Sequence, residues 1–135
     1  MIVTDHERIG RWVIEKAGGV WCDSNKAIGI EKDGEIKAGI MYDAYTGVGG
    51  SISTYFRCDD PKVITRYFYR IAFDYPFNVA KVNRLTNIVN SVNTHSRDIT
   101  ERIGFTKETQ IEGYFPDGDA IVYRMWRHEC RWITP

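Results

Sequence analysis

Residues Ser91 to Phe105 read SVNTHSRDITERIGF. A strand is expected to run out near Val92. Asn93 and Ser96 follow, three apart, then one or two helical turns, then the stop Gly104-Phe105. Asn and Ser are favoured at turns and helix starts because their short side chains bond nearby backbone N–H groups. The plainest reading of the pair is therefore a cap: Ser96 opening the helix and Asn93 closing the turn before it. That leaves open why a strand and so short a helix should be joined through two polar groups.

Working outward, the segment NRLTNIVNSV before this stretch reads as a strand. Before that, DDPKVITRYFYRIAFDYPF reads as a long helix. Asp60 suits the N-cap and Pro61 the first helical position. Ile64, Phe68, Ile71 and Tyr75 form an apolar stripe, widened by Tyr67 and Ala72, and Pro76 is expected to end the run. After the central stretch, FTKETQIEGYF and AIVYRMWRH read as a closing hairpin across Pro116-Asp117-Gly118-Asp119.

Nearer the N-terminus, Thr4 and Glu7 have capping-box spacing. Ile9, Trp12, Val13 and Ala17 recur at helical intervals until Gly18-Gly19. The run KAIGIEKDGEIKAGIMYDAY reads as a hairpin about Asp33-Gly34. Ile36, Ala38, Ile40 and Tyr42 are expected on one face of its second strand. VGGSISTYF follows as a third strand, with Ile52, Thr54 and Phe56 on one side, and glycines that could admit another backbone or a ligand. The order is helix, three strands, long helix, strand, short helix, two strands. This describes an α/β or α+β domain with one mixed sheet.

The composition is consistent with that class. The chain has 135 residues, which suits a single domain spanning 1–135, and its 18 basic and 18 acidic residues cancel. A balanced charge argues against a general nucleic-acid binder, without excluding a local basic patch. Cys22, Cys58 and Cys130 are scattered and odd in number, which fits a reducing compartment better than a disulfide framework. No apolar run is long enough to span a bilayer and no signal-peptide core is present, so a cytoplasmic protein is expected. His128 and Cys130 lack a second pair to complete a zinc site, and no metal is expected. Arg124, Arg127 and Arg131 are interleaved with Trp126 and Trp132, which could touch an anionic or nucleic-acid partner; with the charge balanced, a packed strand with solvated arginines is the favoured reading.

The element order, N-x-x-S with Gly104-Phe105, and the ending EG-Y-F-P-D-G-D…Y-R-M together resemble the GNAT superfamily of N-acetyltransferases. The resemblance is to the branch near the ribosomal-protein N-terminal acetyltransferases. FDYPF and RHECRW are similar to segments of small, uncharacterised bacterial and phage members, which would place a phage-encoded copy in the host cytoplasm. The likeness is strongest from Thr65 to Trp132. It implies a mostly antiparallel sheet flanked by helices, in which the strands on either side of the long helix splay apart around acetyl-coenzyme A.

It also implies roles for individual residues. Asn93 would hold the pantetheine arm and Ser96 would lie near the sulfur as the catalytic group. Tyr55 and Phe56 would border the arm. A backbone N–H of the Gly49-Gly50 strand would polarise the thioester carbonyl. Many relatives bind the pyrophosphate through an Arg/Gln-x-x-Gly-x-Gly/Ala loop before the long helix. This chain has RCDDPKVITR there, so Arg57, Lys62 and Arg66 are the phosphate candidates. Many relatives also place a Tyr where Thr100 stands. Asp43, Tyr45 and His95 remain as candidates for the base.

The activity so implied is transfer of an acetyl group from acetyl-coenzyme A to a primary amine by direct attack. The acceptor could be a small molecule, a protein N-terminus or an amine on a modified nucleic acid, and a homodimer is compatible. The alternatives are a GNAT-fold binding module without catalysis, such as a phage protein acting on a host factor, and an acetyltransferase acting on an aminoacyl-tRNA amine.

Overall fold

The computed structural model describes residues 1–133; the last two residues of the expected 1–135 domain lie outside the described ones. A two-residue strand β1 (Ile2–Val3) precedes α1 (His6–Ala17). The hairpin β2 (Lys26–Lys32) and β3 (Glu35–Asp43) follows, then β4 (Ser51–Cys58). A 3₁₀ turn (Pro61–Val63) leads to α2 (Arg66–Asp74), a π turn (Tyr75–Val79) and β5 (Arg84–Asn90). The chain closes with α3 (Thr94–Ile103), β6 (Thr106–Phe115), β7 (Gly118–Trp126) and a 3₁₀ turn (Arg127–Glu129). All strands join one sheet in the order β1-β2-β3-β4-β5-β7-β6, antiparallel throughout except for β4 with β5. No helix among the described residues is long and apolar enough to cross a membrane.

The two faces of the sheet bury different cores. On one side, Phe68 and Phe73 of α2, with Phe77, pack on Ile40, Leu85, Ile121 and Met125. On the other, Ile9 and Val13 of α1 pack on Ala27 and Met41. Gly29 and Gly39 sit where α1 crosses; a Cβ at either would meet Ile9 at 3.1–3.2 Å, so both positions require close approach of helix to sheet.

Several local expectations are corrected. Asp33 and Gly34 do form the hairpin turn, at φ 55° and 80°, which suits the right-handed strand twist. Beyond that turn the register shifts: Ile36 pairs with Glu31 but Ala38 with Ile30. The extra residue, Lys37, turns Ile36 to the α1 face, while Ala38, Ile40 and Tyr42 stay on the α2 face. The Thr4–Glu7 capping box does not form; Asp5 is the N-cap and its side chain makes no capping bond.

The expected long helix is divided. Asp60 caps only the 3₁₀ turn, accepting the Lys62 N–H at 3.1 Å, and α2 starts afresh with Thr65 accepting the Phe68 N–H at 3.1 Å. Pro76 does not stop the coil, because it falls at the start of a π turn that runs to Val79. The cap of α3 is Asn93, whose Oδ1 accepts the Ser96 N–H at 3.1 Å; Ser96 lies inside the helix.

Candidate functional site

The site is set by how far β4 and β5 pair. As parallel neighbours they match only over Ser51↔Arg84, Ile52↔Leu85 and Ser53↔Thr86. Beyond that point β4 stays with β3 and β5 stays with β7, so the inner edges diverge. The Thr54 hydroxyl donates to the Thr86 carbonyl at 3.4 Å at the fork, and past it both strands present backbone groups that neither partner uses. A cleft of about 760 Å³ opens there. Such open edges are where an extended, amide-bearing chain can bond as an added strand.

Of the expected site residues, Tyr55, Phe56, Arg57, Asn93 and Ser96 all border this cleft. Lys62 and Arg66 do not; both are exposed on the outside of the loop and helix start. Thr100 is buried in the cleft wall, and its hydroxyl donates to the Ser96 carbonyl at 2.7 Å. Ser96 is partly buried, its backbone N–H is held by Asn93, and its hydroxyl has no hydrogen-bond partner among the described residues. That turn is fixed from outside the cleft: the Tyr123 hydroxyl of β7 donates to Glu101 at 2.6 Å and accepts from Arg97 at 3.5 Å.

The strand that Gly49-Gly50 introduce, β4, borders the cleft from Tyr55 to Cys58, but the two glycines themselves do not. These glycines precede β4 in a turn, Gly49 at φ 80°, at the closed end of the strand pair. The Gly49 N–H donates to the Lys81 carbonyl at 2.8 Å, and the Gly50 carbonyl accepts from Asn83 and Arg84. The backbone they admit is the chain entering β5.

One cleft residue escaped the sequence reading. Asn87 is 5% exposed and borders the cleft immediately past the last β4–β5 pair. It stands between the core residues Leu85 and Val89, on the alternating buried positions of β5. Its side-chain amide makes no hydrogen bond among the described residues and is not among the atoms shut off from solvent, so it opens onto the cleft. The available signal was LTNIV itself: an Asn in the inward phase of an apolar strand.

Among the base candidates, His95 borders the cleft at the start of α3. Tyr45 is tied elsewhere, its hydroxyl donating to the Ala80 carbonyl at 3.1 Å. Asp43 lies on the α1 side of the sheet with its Oδ1 buried and unpartnered, as is Trp21 Nε1 nearby in the same core layer. Burial pushes the Asp43 carboxyl up while the Tyr55 hydroxyl pulls it down; in turn burial, with Asp43 beside it, raises Tyr55 to about 12. Cys58 also borders the cleft, and burial pushes its thiol up, away from the thiolate. No metal-ligating cluster occurs among the described residues.

The fit to acetyl-coenzyme A is uneven along its length. The open edges of β4 and β5, with Asn87 and Asn93, suit the pantetheine arm. The loop after β4 does not suit the pyrophosphate. Its Asp59 and Asp60 N–H groups both donate to the Lys37 carbonyl, at 2.8 and 3.3 Å, and Pro61 has none. Those of Lys62, Val63 and Ile64 close onto Asp60 and Pro61. The Arg57 guanidinium is held by Asp59 at 2.8 and 3.0 Å and by Glu15 at 3.1 Å, and stacks 3.9 Å above Trp12.

No protein-family model matches the chain, and no curated protein does. Solved structures do. A mutant of the spermidine N-acetyltransferase of Vibrio cholerae superposes with a TM-score of 0.75 at 11% identity, over 94% of this chain and 93% of that one. A protein of T. thermophilus described as an acetyltransferase gives a TM-score of 0.64 at 18% identity, over 80% of this chain and 62% of that one. A third structure, also described as an acetyltransferase, gives 0.66 at 19%, over 91% and 68%. Identities this low speak for the path of the backbone rather than for the chemistry. With the forked strand pair and the Asn93-capped helix beside it, they show that this chain carries the GNAT N-acetyltransferase fold.

Proposed function

We propose that the protein is an N-acetyltransferase that moves an acetyl group from an acetyl-coenzyme A-type thioester to a primary amine. The observation that carries this reading is the fork after Ser53 and Thr86, which opens two unpaired strand edges into a cleft walled by α3. The donor, when bound, supplies the thioester.

The chain's own residues then have separate tasks. The strand edges orient the donor's extended arm, and Asn93 fixes the first turn of α3 against it. The Ser96 hydroxyl, on that turn, gives a proton to the departing sulfur as the C–S bond breaks and the new C–N bond forms. His95 takes the proton the amine loses; it is the one base candidate of the three that borders the cleft. Much of the rate comes from holding amine and thioester together in a single complex. A Cys58 relay is disfavoured because burial pushes its thiol up, away from the thiolate.

The test is to incubate the protein with acetyl-coenzyme A and a panel of primary amines, following free-thiol release and acceptor mass. Thiol release that depends on one class of amine is expected, and His95→Gln should lower turnover without weakening donor binding. Coenzyme A binding with no turnover on any amine would favour the binding-module reading instead.

A further inference from the structure

We infer that this protein reads its acyl donor at the pantetheine–thioester end and not at the nucleotide, so that any pantetheine thioester, free or carried on a larger molecule, is recognised about as well as acetyl-coenzyme A. The inference rests on the transferase reading of the cleft. Two independent observations support it, one at each end of the donor.

At the fork, Asn87 is 5% exposed as a residue, but its amide, which has no partner among the described residues, opens onto the cleft. A donor and an acceptor held rigidly on a cleft wall suit a ligand group that satisfies both, as a pantetheine amide does. The position lies one residue past the last β4–β5 pair, where an added chain would begin to bond to the strand edges.

At the outer end, the loop between β4 and α2 keeps its N–H groups for itself. From Asp59 to Ile64, every available N–H closes onto Lys37, Asp60 or Pro61. Its nearest cations are neutralised: Arg57 and Lys16 stand against Asp59 and Glu15, with Lys16 3.7 Å from Asp59. Lys62 and Arg66 do not line the cleft and are exposed, where attraction to a phosphate is weakened by water and salt. This leaves the Arg66 and Tyr67 N–H groups at the head of α2 as the uncommitted donors. A diphosphate entering the loop from Asp59 to Ile64 would meet carboxylates and occupied donors. A loop that did cradle it with several charge-assisted bonds would give coenzyme A an advantage of at least about a hundredfold over pantetheine.

The test needs no acceptor. Calorimetry with coenzyme A, 4′-phosphopantetheine and pantetheine compares the three arms on the intact protein. Affinities within about tenfold of one another are expected, with little dependence on salt. Coenzyme A binding more than about tenfold tighter than pantetheine would overturn the inference while leaving the transferase reading in place. If none of the three binds, both fall.

Asn87→Leu supplies the second measurement. It replaces the amide with an apolar side chain of similar size and leaves the packing in place, so the melting temperature should change little. All three affinities should nevertheless drop together by about tenfold. Unchanged affinities in the folded variant would overturn the role given to Asn87.

Discussion

Asn93 and Ser96 sit three residues apart and do different work. Asn93 caps α3 by accepting the Ser96 N–H, whereas no hydrogen bond of the Ser96 hydroxyl to the helix is found among the described residues. Asn93→Ala should therefore cost about 1 kcal/mol of stability, and Asn93→Asp should restore it, since both residues cap well. Ser96→Ala should leave the melting temperature nearly unchanged and lower turnover through the step in which the thiolate leaves. Thermal melts and donor turnover on the three variants separate these outcomes. A Ser96→Ala enzyme with full turnover would end the leaving-group role.

Elements hold the site through a few contacts that cross the sheet. Tyr123 on β7 clamps α3 through Glu101 and Arg97, so Tyr123→Phe frees two charged partners while leaving the aromatic packing in place. The expected loss is about 1–3 kcal/mol, measured by denaturant unfolding, together with weaker donor binding as the first turn of α3 loosens. An equal stability loss with unchanged binding would mean that the clamp does not position the cleft. On the opposite face, α1 meets the loop after it at Gly10, where a Cβ would run into the Trp21 ring. Gly10→Ala should thus destabilise, against the usual helix preference for Ala, by about 1–3 kcal/mol of overpacking. A stabilised variant in the same unfolding measurement would show that Trp21 can move aside.

Across the whole molecule, charge balance sets how stability responds to acid. Lys37 beside Glu35, Arg57 beside Asp59, Arg84 beside Glu108, and the Gly113 N–H on Asp119 hold those four carboxyls below their usual range. Their stabilisation is complete above the ordinary carboxylate range and is lost as pH falls through their folded values. Asp43 runs the other way: its raised carboxyl is most compatible with the fold when protonated, and that advantage disappears as pH rises through its folded value. The melting temperature should therefore fall on acidification from about pH 6 to about pH 3. Asp43→Asn should raise it at neutral pH and lose the gain below the carboxylate range. A melting temperature flat across that interval would contradict the ion-pair account.

The sequence by itself determined the element order, the Asp33-Gly34 turn, the closing hairpin and the polar pair ahead of α3, because these depend on local rules: periodicity, turn chemistry and side chains that bond their own backbone. Local rules also misled where two solutions compete within a few residues. Asp60-Pro61 is a sound helix start, yet Thr65 begins α2, since the 3₁₀ turn between them lets the loop close onto the Lys37 carbonyl. Ile36 kept its alternation in the sequence but lost it to the bulge at Lys37. Gly49-Gly50 announced a close approach without saying to what, and the answer was the chain entering β5. Only the tertiary structure decided where β4 and β5 part, which turns Asn87 from an odd core residue into a cleft wall. Only it decided that Arg57, on the cleft wall, stands against Asp59, Glu15 and Trp12. Both depend on partners far away in the chain, and a strand edge or a guanidinium carries no mark in the sequence of which neighbour it will meet.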